Sequence, residues 1–367
     1  MRKVKIGIIG CGNISGIYLQ NLTHVFANTE VFAVSDFSEE RMQQAADTYG
    51  VPNQWTAEQV LNSPEIEIIV NLTTPDQHFR ICKLALEHGK HVYVEKPLSL
   101  LPEQGHELVE LAREKGLLLG GAPDTFLGAG LQTCRKLIDD GYIGQPIAAT
   151  AFMLCHGHEN WHPNPGFYYQ AGGGPMFDMG PYYLTALVSL LGPAETVAGM
   201  TSKSFEQRTI TSQPLFGEKI DVEVPTHIAG TLKFKSGAIA TMITSFDVWS
   251  STLPPIEIYG TQGTLLVPDP NNFGGPISLR PAGATEFKEI PVVHQYGENS
   301  RGIGVSDMAD CVLSGGTPRA NGELTNHVLE MMHAFHESSD SGNYVQLKTT
   351  CEQPRPLNTG LIKGYLS

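Results

Sequence analysis

The feature that most constrains this chain is a glycine turn between a buried strand and a helix. Val4-Lys5-Ile6-Gly7-Ile8-Ile9-Gly10 is a short apolar run of the kind a strand buried on both faces needs. Gly10-Cys11-Gly12-Asn13-Ile14-Ser15-Gly16 follows, and a helical pattern begins at Ile17 and runs towards Phe26. Three more strand-like runs come next: Val31 to Asp36, Ile66 to Leu72 and His91 to Glu95. Helical stretches separate them, notably Gln77 to Glu87 and Pro102 to Lys115. Strands alternating with helices predict an α/β domain, a doubly wound parallel sheet of Rossmann type covered on both faces.

The glycines read physically. Gly10 permits the tight turn out of the strand, and Gly12 lets backbone approach a pyrophosphate seated on the next helix N-terminus. This gives Gly10, Gly12, Asn13 and Ile14 as cofactor contacts. The usual third glycine position holds Ser15, small enough for close packing. Asp36 ends the second strand 24 residues after Gly12. A carboxylate there accepts hydrogen bonds from ribose hydroxyls and repels a 2′-phosphate, and Phe37 offers no cation for one. NAD is therefore expected, with NADP disfavoured.

From Gly120-Gly121-Ala122 onward the pattern changes. Leu131 to Ile138 reads as a helix. Pro146 to Leu154, Thr196 to Met200, Thr226 to Phe234, Ala238 to Val248 and Pro255 to Tyr259 read as strands, rich in β-branched and alternating residues. The expectation is a dinucleotide-binding domain over residues 1–122 and an α+β domain over 123–367, with a large, predominantly antiparallel open sheet. A helix from Thr325 to Glu337 is expected near that sheet, and the proline-rich tail after Tyr344 is expected to cross back to the first domain.

Thr73-Thr74-Pro75-Asp76-Gln77-His78 and Glu95-Lys96-Pro97-Leu98 resemble signatures of the Gfo/Idh/MocA family, the glucose-fructose oxidoreductases and inositol dehydrogenases. Gly172-Gly173-Gly174-Pro175-Met176-Phe177-Asp178-Met179-Gly180-Pro181-Tyr182-Tyr183 resembles its glycine turn and helix start, and Gly260 to Leu265 its later hairpin. The resemblance implies that Thr73, Thr74, Pro75, His78, Glu95 and Lys96 line the cofactor, and that Lys96 is catalytic. An ammonium there lowers the pKa of a reacting alcohol and polarises the carbonyl product. Asp178 is implied to orient the substrate or the lysine; the plain alternative is a helix cap.

Two departures stand out. Tyr182 occupies the position where most of the family has a catalytic histidine, which makes it the acid/base candidate, provided Lys96 lowers its phenol pKa. Pro123-Asp124-Thr125-Phe126 replaces an Asn-x-Arg-Phe type segment. Loss of that arginine favours a neutral sugar, glycoside or cyclic polyol, with Asp124 as a substrate contact.

The stretch Cys155-His156-Gly157-His158-Glu159-Asn160-Trp161-His162-Pro163-Asn164-Pro165 reads as a loop. Trp161 suits stacking on a pyranose, and His158 and His162 suit hydroxyls. His156, His158 and His162 also stand as alternative bases to Tyr182. Zinc ligation is weighed and not adopted, because this reaction needs no metal. His333 and His336 share a helix face and are taken as surface, while His294 is left open as a contact from the far side.

The net charge of −14 argues against nucleic acid and anionic membrane partners. No run approaches the roughly 20 apolar residues of a membrane span. Six scattered cysteines and an N-terminus without an apolar signal core point to the cytoplasm. In the relatives the free sheet face forms subunit contacts, so a homodimer or homotetramer is expected. Two other functions stay open: an NAD-dependent glycosidase or redox-assisted lyase on the same scaffold, and a non-catalytic NAD-binding regulator.

Overall fold

The structure is a computed structural model describing residues 2–366; Met1 and Ser367, the ends of the expected domain spans, lie outside the described residues. The first unit runs β1 (Val4–Ile9), α1 (Ser15–His24), β2 (Thr29–Ser35), α2 (Glu39–Tyr49), β3 (Asn53–Gln54), α3 (Ala57–Asn62), β4 (Ile68–Asn71), α4 (Pro75–Glu87), β5 (His91–Val94), α5 (Pro102–Lys115) and β6 (Leu119–Gly121). Its six strands are all parallel, in the order β3-β2-β1-β4-β5-β6. The order reverses between β1 and β4, so the crevice beyond their carboxyl ends is where such a sheet binds ligands. Every residue of β4 is buried, as the continuous apolar runs required.

The second unit contains α6 (Ala129–Asp139), β7 (Pro146–Leu154), α7 (Gly174–Leu191), β8 (Ala194–Ser202), β9 (Gln207–Thr209), β10 (Lys219–Asp221), β11 (His227–Phe234), β12 (Ile239–Ser245), β13 (Ile256–Gly260), β14 (Gly263–Val267), β15 (Ile277–Pro281) and β16 (Lys288–Ile290). It closes with α8 (Ile303–Ser314), α9 (Gly322–Ser341) and β17 (Val345–Gln346). Nine strands form one sheet, ordered β16-β15-β14-β13-β7-β12-β11-β8-β17. It is antiparallel except where β12 runs parallel to β7. Ala149, Ala151 and Met153 of β7 face the buried side with α7, while α9 packs on β8. The opposite face is open, carrying Met200 and Ile239 exposed.

The later chain returns to the first sheet. Asn28 Nδ2 donates to Ser306 O at 2.8 Å, and Asn21 Nδ2 donates to Arg301 O at 2.8 Å. The tail crosses back as expected, with Ala27 N donating to Gly364 O at 3.0 Å. His333 and His336 are corrected from surface to packing residues: both stand half-buried against the Phe177 ring, and His333 Nε2 meets Leu100 O at 3.0 Å. His294 is also spoken for, its Nδ1 bonded to Thr133 Oγ1 at 3.1 Å.

Candidate active site

At the carboxyl end of β1, Gly10 adopts φ +105°, and a Cβ there would stand 2.6 Å from the Leu72 backbone. No residue with a side chain fits that turn. Gly12 has nothing within 4 Å of its missing Cβ, so the space above it is open. No side chain caps α1, and Asn13 and Ile14 are exposed at its start. Free backbone N–H groups at the positive end of a helix, over an open glycine, are what a pyrophosphate requires. Ser15 is buried and donates through Oγ to Gly12 O at 2.7 Å, which holds the turn where the third glycine is missing.

Asp36 stands just beyond β2. Its Oδ2 accepts from Cys11 N at 2.7 Å and its Oδ1 from Ser38 N at 2.8 Å. Burial opposes its charge, but these backbone donors and Arg41 hold its pKa below the ordinary carboxylate value. Arg41, on the first turn of α2, donates to Asp36 Oδ1 at 2.8 Å. Phe37 offers no cation, as read from the sequence, but Arg41, five residues beyond Asp36, does, and it is paired to the acid.

The Thr73-Thr74-Pro75 turn links β4 to α4, with Thr74 and Pro75 exposed at the sheet edge. Thr73 Oγ1 donates to Asn71 Oδ1 at 2.6 Å. His78 is 1% exposed, with Nδ1 at 2.7 Å from Pro97 O and Nε2 at 3.0 Å from Thr73 O. It is not an open cofactor contact. It ties the Thr73 turn to the segment after Lys96, and burial pushes its pKa down. Glu95 Oε1 accepts from Tyr18 OH at 2.7 Å, and its Oε2 accepts from Lys96 N at 2.9 Å.

Lys96 follows β5 directly. Its Nζ donates to Asp178 O at 2.7 Å and Asp178 Oδ1 at 3.0 Å. Asp178 lies inside α7, not at its cap, which is Gly173. Gly172 and Gly174 both take φ +86° in the turn that aims the helix. Pro181, three residues after Asp178, has no N–H to close the preceding turn. Nearby, the Asp178 carbonyl takes its bond from Lys96. Burial works against both charges of this pair. Their mutual attraction outweighs it, lowering the Asp178 pKa and raising that of Lys96. Lys96 is an ammonium at neutral pH.

Tyr182 lies one turn along. Lys96 Nζ sits 5.5 Å from its ring centroid, over the face rather than at the hydroxyl. Burial raises the phenol pKa above its ordinary value; the Lys96 charge lowers it, as expected, and Arg301 adds to that, but together they only partly offset burial. Asp124 is corrected as well. It is 1% exposed, and its Oδ2 accepts from Gly302 N at 2.8 Å and Gly304 N at 3.0 Å, at the start of α8. Its carboxylate closes a helix end rather than facing a sugar.

The histidine stretch is a loop laid against this site. His158 Nε2 lies 3.2 Å from Asp178 Oδ2. The His158 ring packs at 4.1 Å from Tyr168, 4.7 Å from Phe246 and 5.4 Å from Trp161. Trp161 is largely exposed, and His162 Nδ1 is occupied by Asn164 N at 3.1 Å. Burial lowers the His162 pKa. His156 turns away, stacked on Trp249 at 3.4 Å with its Nε2 on Arg208 Nη1 at 3.2 Å. Arg208, itself buried, anchors the loop: it donates to Glu159 Oε1 at 2.9 Å, Asp247 Oδ1 at 2.5 Å and Phe246 O at 2.6 Å. No group of three His, Cys, Asp or Glu among the described residues is placed to hold a metal ion.

Two residues at the site escaped sequence reasoning. Tyr168 feels both Asp178 and Lys96, and burial pushes its pKa up to about 12. Arg301 lies beside Tyr182 from a loop far downstream, held by Asn271 Oδ1 at 2.8 Å and Asn299 Oδ1 at 2.9 Å. No local motif marks either one.

The family model for the GFO/IDH/MocA oxidoreductases, NAD-binding Rossmann fold, matches residues 4–121, and the model for the GFO/IDH/MocA C-terminal domain matches residues 131–266. The chain is 29% identical over 249 residues to D-glucoside 3-dehydrogenase of Escherichia coli (strain K12), covering 66% of this chain and 70% of that one. It is 25% identical over 353 residues to scyllo-inositol 2-dehydrogenase (NAD(+)) of Bacillus subtilis (strain 168), covering 94% and 96%. Among solved structures, an NAD binding oxidoreductase from Klebsiella pneumoniae matches with a TM-score of 0.82 at 20% identity, over 94% of this chain and 99% of that one. Levoglucosan dehydrogenase in complex with NADH and L-sorbose matches with a TM-score of 0.81 at 20% identity, over 95% and 100%. The structural likenesses speak for the fold.

Proposed function

This chain belongs to the GFO/IDH/MocA oxidoreductase family, and from that premise we propose that it oxidises a secondary alcohol of a sugar, glycoside or cyclic polyol with NAD, or reduces the matching ketone. The observation that carries this reading is the Lys96–Asp178 pair at the carboxyl edge of the parallel sheet, two strands along from the open Gly12 turn. Bound NAD supplies the two-electron oxidant. Gly10, Gly12, Asn13 and Ile14 would hold its pyrophosphate, and Asp36 would take the ribose hydroxyls. Thr73, Thr74, Pro75 and Glu95 would border its nicotinamide end.

Lys96 donates to the reacting oxygen. Because it keeps its charge, it steadies negative charge growing on that oxygen and does not take the proton itself. Asp178 fixes the ammonium through two contacts, so the donor is aimed before substrate arrives. Tyr182 and Tyr168 offer hydroxyls to the sugar, and exposed Trp161 offers a face for a ring. Arg301 returns a cation to the site, so a substrate with a carboxylate belongs in the test beside neutral sugars.

The open sheet face, with Met200, Ile239, Ile243, Phe152 and Leu266 on one side of neighbouring strands, suits burial against a second copy of the chain as a homodimer or homotetramer. Six free cysteines, four of them buried, fit a reducing cytoplasm. Among the described residues no helix is long and apolar enough to cross a membrane.

The test is a panel of neutral sugars, glycosides, inositols and sugar acids, each incubated with stoichiometric protein and NAD while reduced nicotinamide absorbance is followed. Formation with one class and not the others supports the reading and names the class. No formation with any, in protein that binds NAD, contradicts it.

A further inference from the structure

Asp178 is shared. Oδ1 accepts from Lys96, and Oδ2 faces His158 across 3.2 Å. We propose that His158 and Asp178 form the proton-transfer dyad of this site, with His158 Nδ1 taking the proton of the substrate alcohol, while Tyr182 keeps its proton and positions the substrate. This rests on the oxidoreductase reading above.

The argument begins with elimination. Lys96 is held as an ammonium by Asp178. Tyr182 is a buried phenol and Tyr168 a half-buried one, and both hold their protons more tightly than in water. His78 has carbonyl oxygens at both ring nitrogens. His156 is stacked on Trp249 and bonded to Arg208, and His162 Nδ1 is taken by Asn164 N. His158 is the imidazole left on the reacting cluster.

Its chemistry is set by Asp178. An ionised carboxylate only accepts, so Nε2 carries the hydrogen, and the uncharged form of the ring has its unshared pair at Nδ1. Nδ1 makes no hydrogen bond among the described residues and is not one of the sealed, unpartnered polar atoms. A carboxylate that orients an imidazole and steadies its charged form is a known way to make a base. Rings hold His158 on several sides, and its neighbour Glu159 is locked to Arg208 and Tyr169. The charged and titratable groups facing it are Asp178 from α7, Tyr168 from the turn before α7, His162 from its own loop, and Lys96 across the carboxylate.

In the oxidation direction the alcohol O–H bond breaks and its proton goes to His158 Nδ1. The hydrogen on the carbinol carbon leaves with its electron pair to NAD, the oxidant, and the pair left on oxygen closes the C=O bond. The imidazolium then releases its proton to water. The imidazole that α7 lacks at Tyr182 thus reaches the same carboxylate from a loop 20 residues earlier.

His158→Ala, His158→Gln and Tyr182→Phe test this, read by single-turnover oxidation of the sugar that wild type accepts. Both His158 variants are expected to fall at least about 10²-fold with NAD affinity unchanged, and Tyr182→Phe by less than about tenfold. Gln keeps a donor for Asp178 but cannot take a proton, so recovery in His158→Gln would make the role structural and overturn the proposal. Turnover within about threefold of wild type in His158→Ala, or a larger loss in Tyr182→Phe, would overturn it too. In the cofactor-free protein, ¹⁵N imidazole spectra should show His158 as the Nε2–H tautomer, becoming mixed in Asp178→Asn. An Nδ1–H tautomer in wild type would sink the dyad. If wild type oxidises no sugar, the functional reading fails, and the tautomer still decides the dyad.

Discussion

The two halves of the site are built in different ways. At the β1–α1 turn the proposed binding groups are backbone N–H donors and one acid at a strand end, all supplied by contiguous stretches of chain. At the Lys96–Asp178–His158 cluster they are side chains from three segments, 82 and 20 residues apart, and Lys96 meets Asp178 only where the two units dock. Backbone geometry leaves a local mark, because only glycine tolerates φ +105° against Leu72. Side chains meeting across a cleft leave no such mark. The first half is therefore readable residue by residue, and the second is where sequence reasoning erred.

The sharpest way to break this comparison is Lys96→Met. Removing a donor aimed at developing charge should lower single-turnover oxidation by about 10²–10³-fold. NAD affinity should stay within twofold, since the Gly10–Ile14 turn is untouched. Equal loss of both would mean the two halves are not separable.

Next comes the anchor of the histidine loop. Arg208→Ala leaves Glu159 and Asp247 as buried charges without their partner, which costs about 3–5 kcal/mol. Chemical denaturation should report that loss, and a shift within 1 kcal/mol would show that the network is not what holds the loop.

In the cofactor half, Asp36→Ala should weaken NAD about tenfold, a change of about 1.4 kcal/mol. It also frees Arg41 to meet a 2′-phosphate, so the gap to NADP should narrow. Titration with both cofactors checks this, and an unchanged preference would mean that Asp36 does not read the ribose.

The smallest effect concerns Asp124. Burial raises its pKa to about 6, although the α8 amides work the other way. Between the unfolded value near 3.9 and about 6 the folded chain therefore binds the extra proton, so stability from this group falls as pH rises through that window. Asp124→Asn should remove that slope in Tm against pH and leave KM unchanged. A shifted KM would return Asp124 to the substrate.

Much of the fold is legible. The βα alternation, the glycine turn and the alternating strands β7, β8, β11, β12 and β13 read from periodicity. β9 and β10 do not, being three residues each with a single buried position. Nor does the parallel pairing of β12 with β7, since alternation says nothing of strand direction. In the site, Lys96 and Asp178 were found through motifs. Asp124 was misplaced because its partners, Gly302 and Gly304, lie nearly 180 residues away. Arg301 meets Tyr182 from far down the chain, and Tyr168 and His158 reach Asp178 from a loop whose path no periodicity fixes.

The central claim is that Lys96, held by Asp178, drives NAD-dependent oxidation of a sugar or polyol alcohol. The most direct measurement is single-turnover absorbance of reduced nicotinamide in wild type and Lys96→Met, at matched NAD and sugar occupancy. The account predicts a full signal in wild type and almost none in the variant. Equal signals would contradict it.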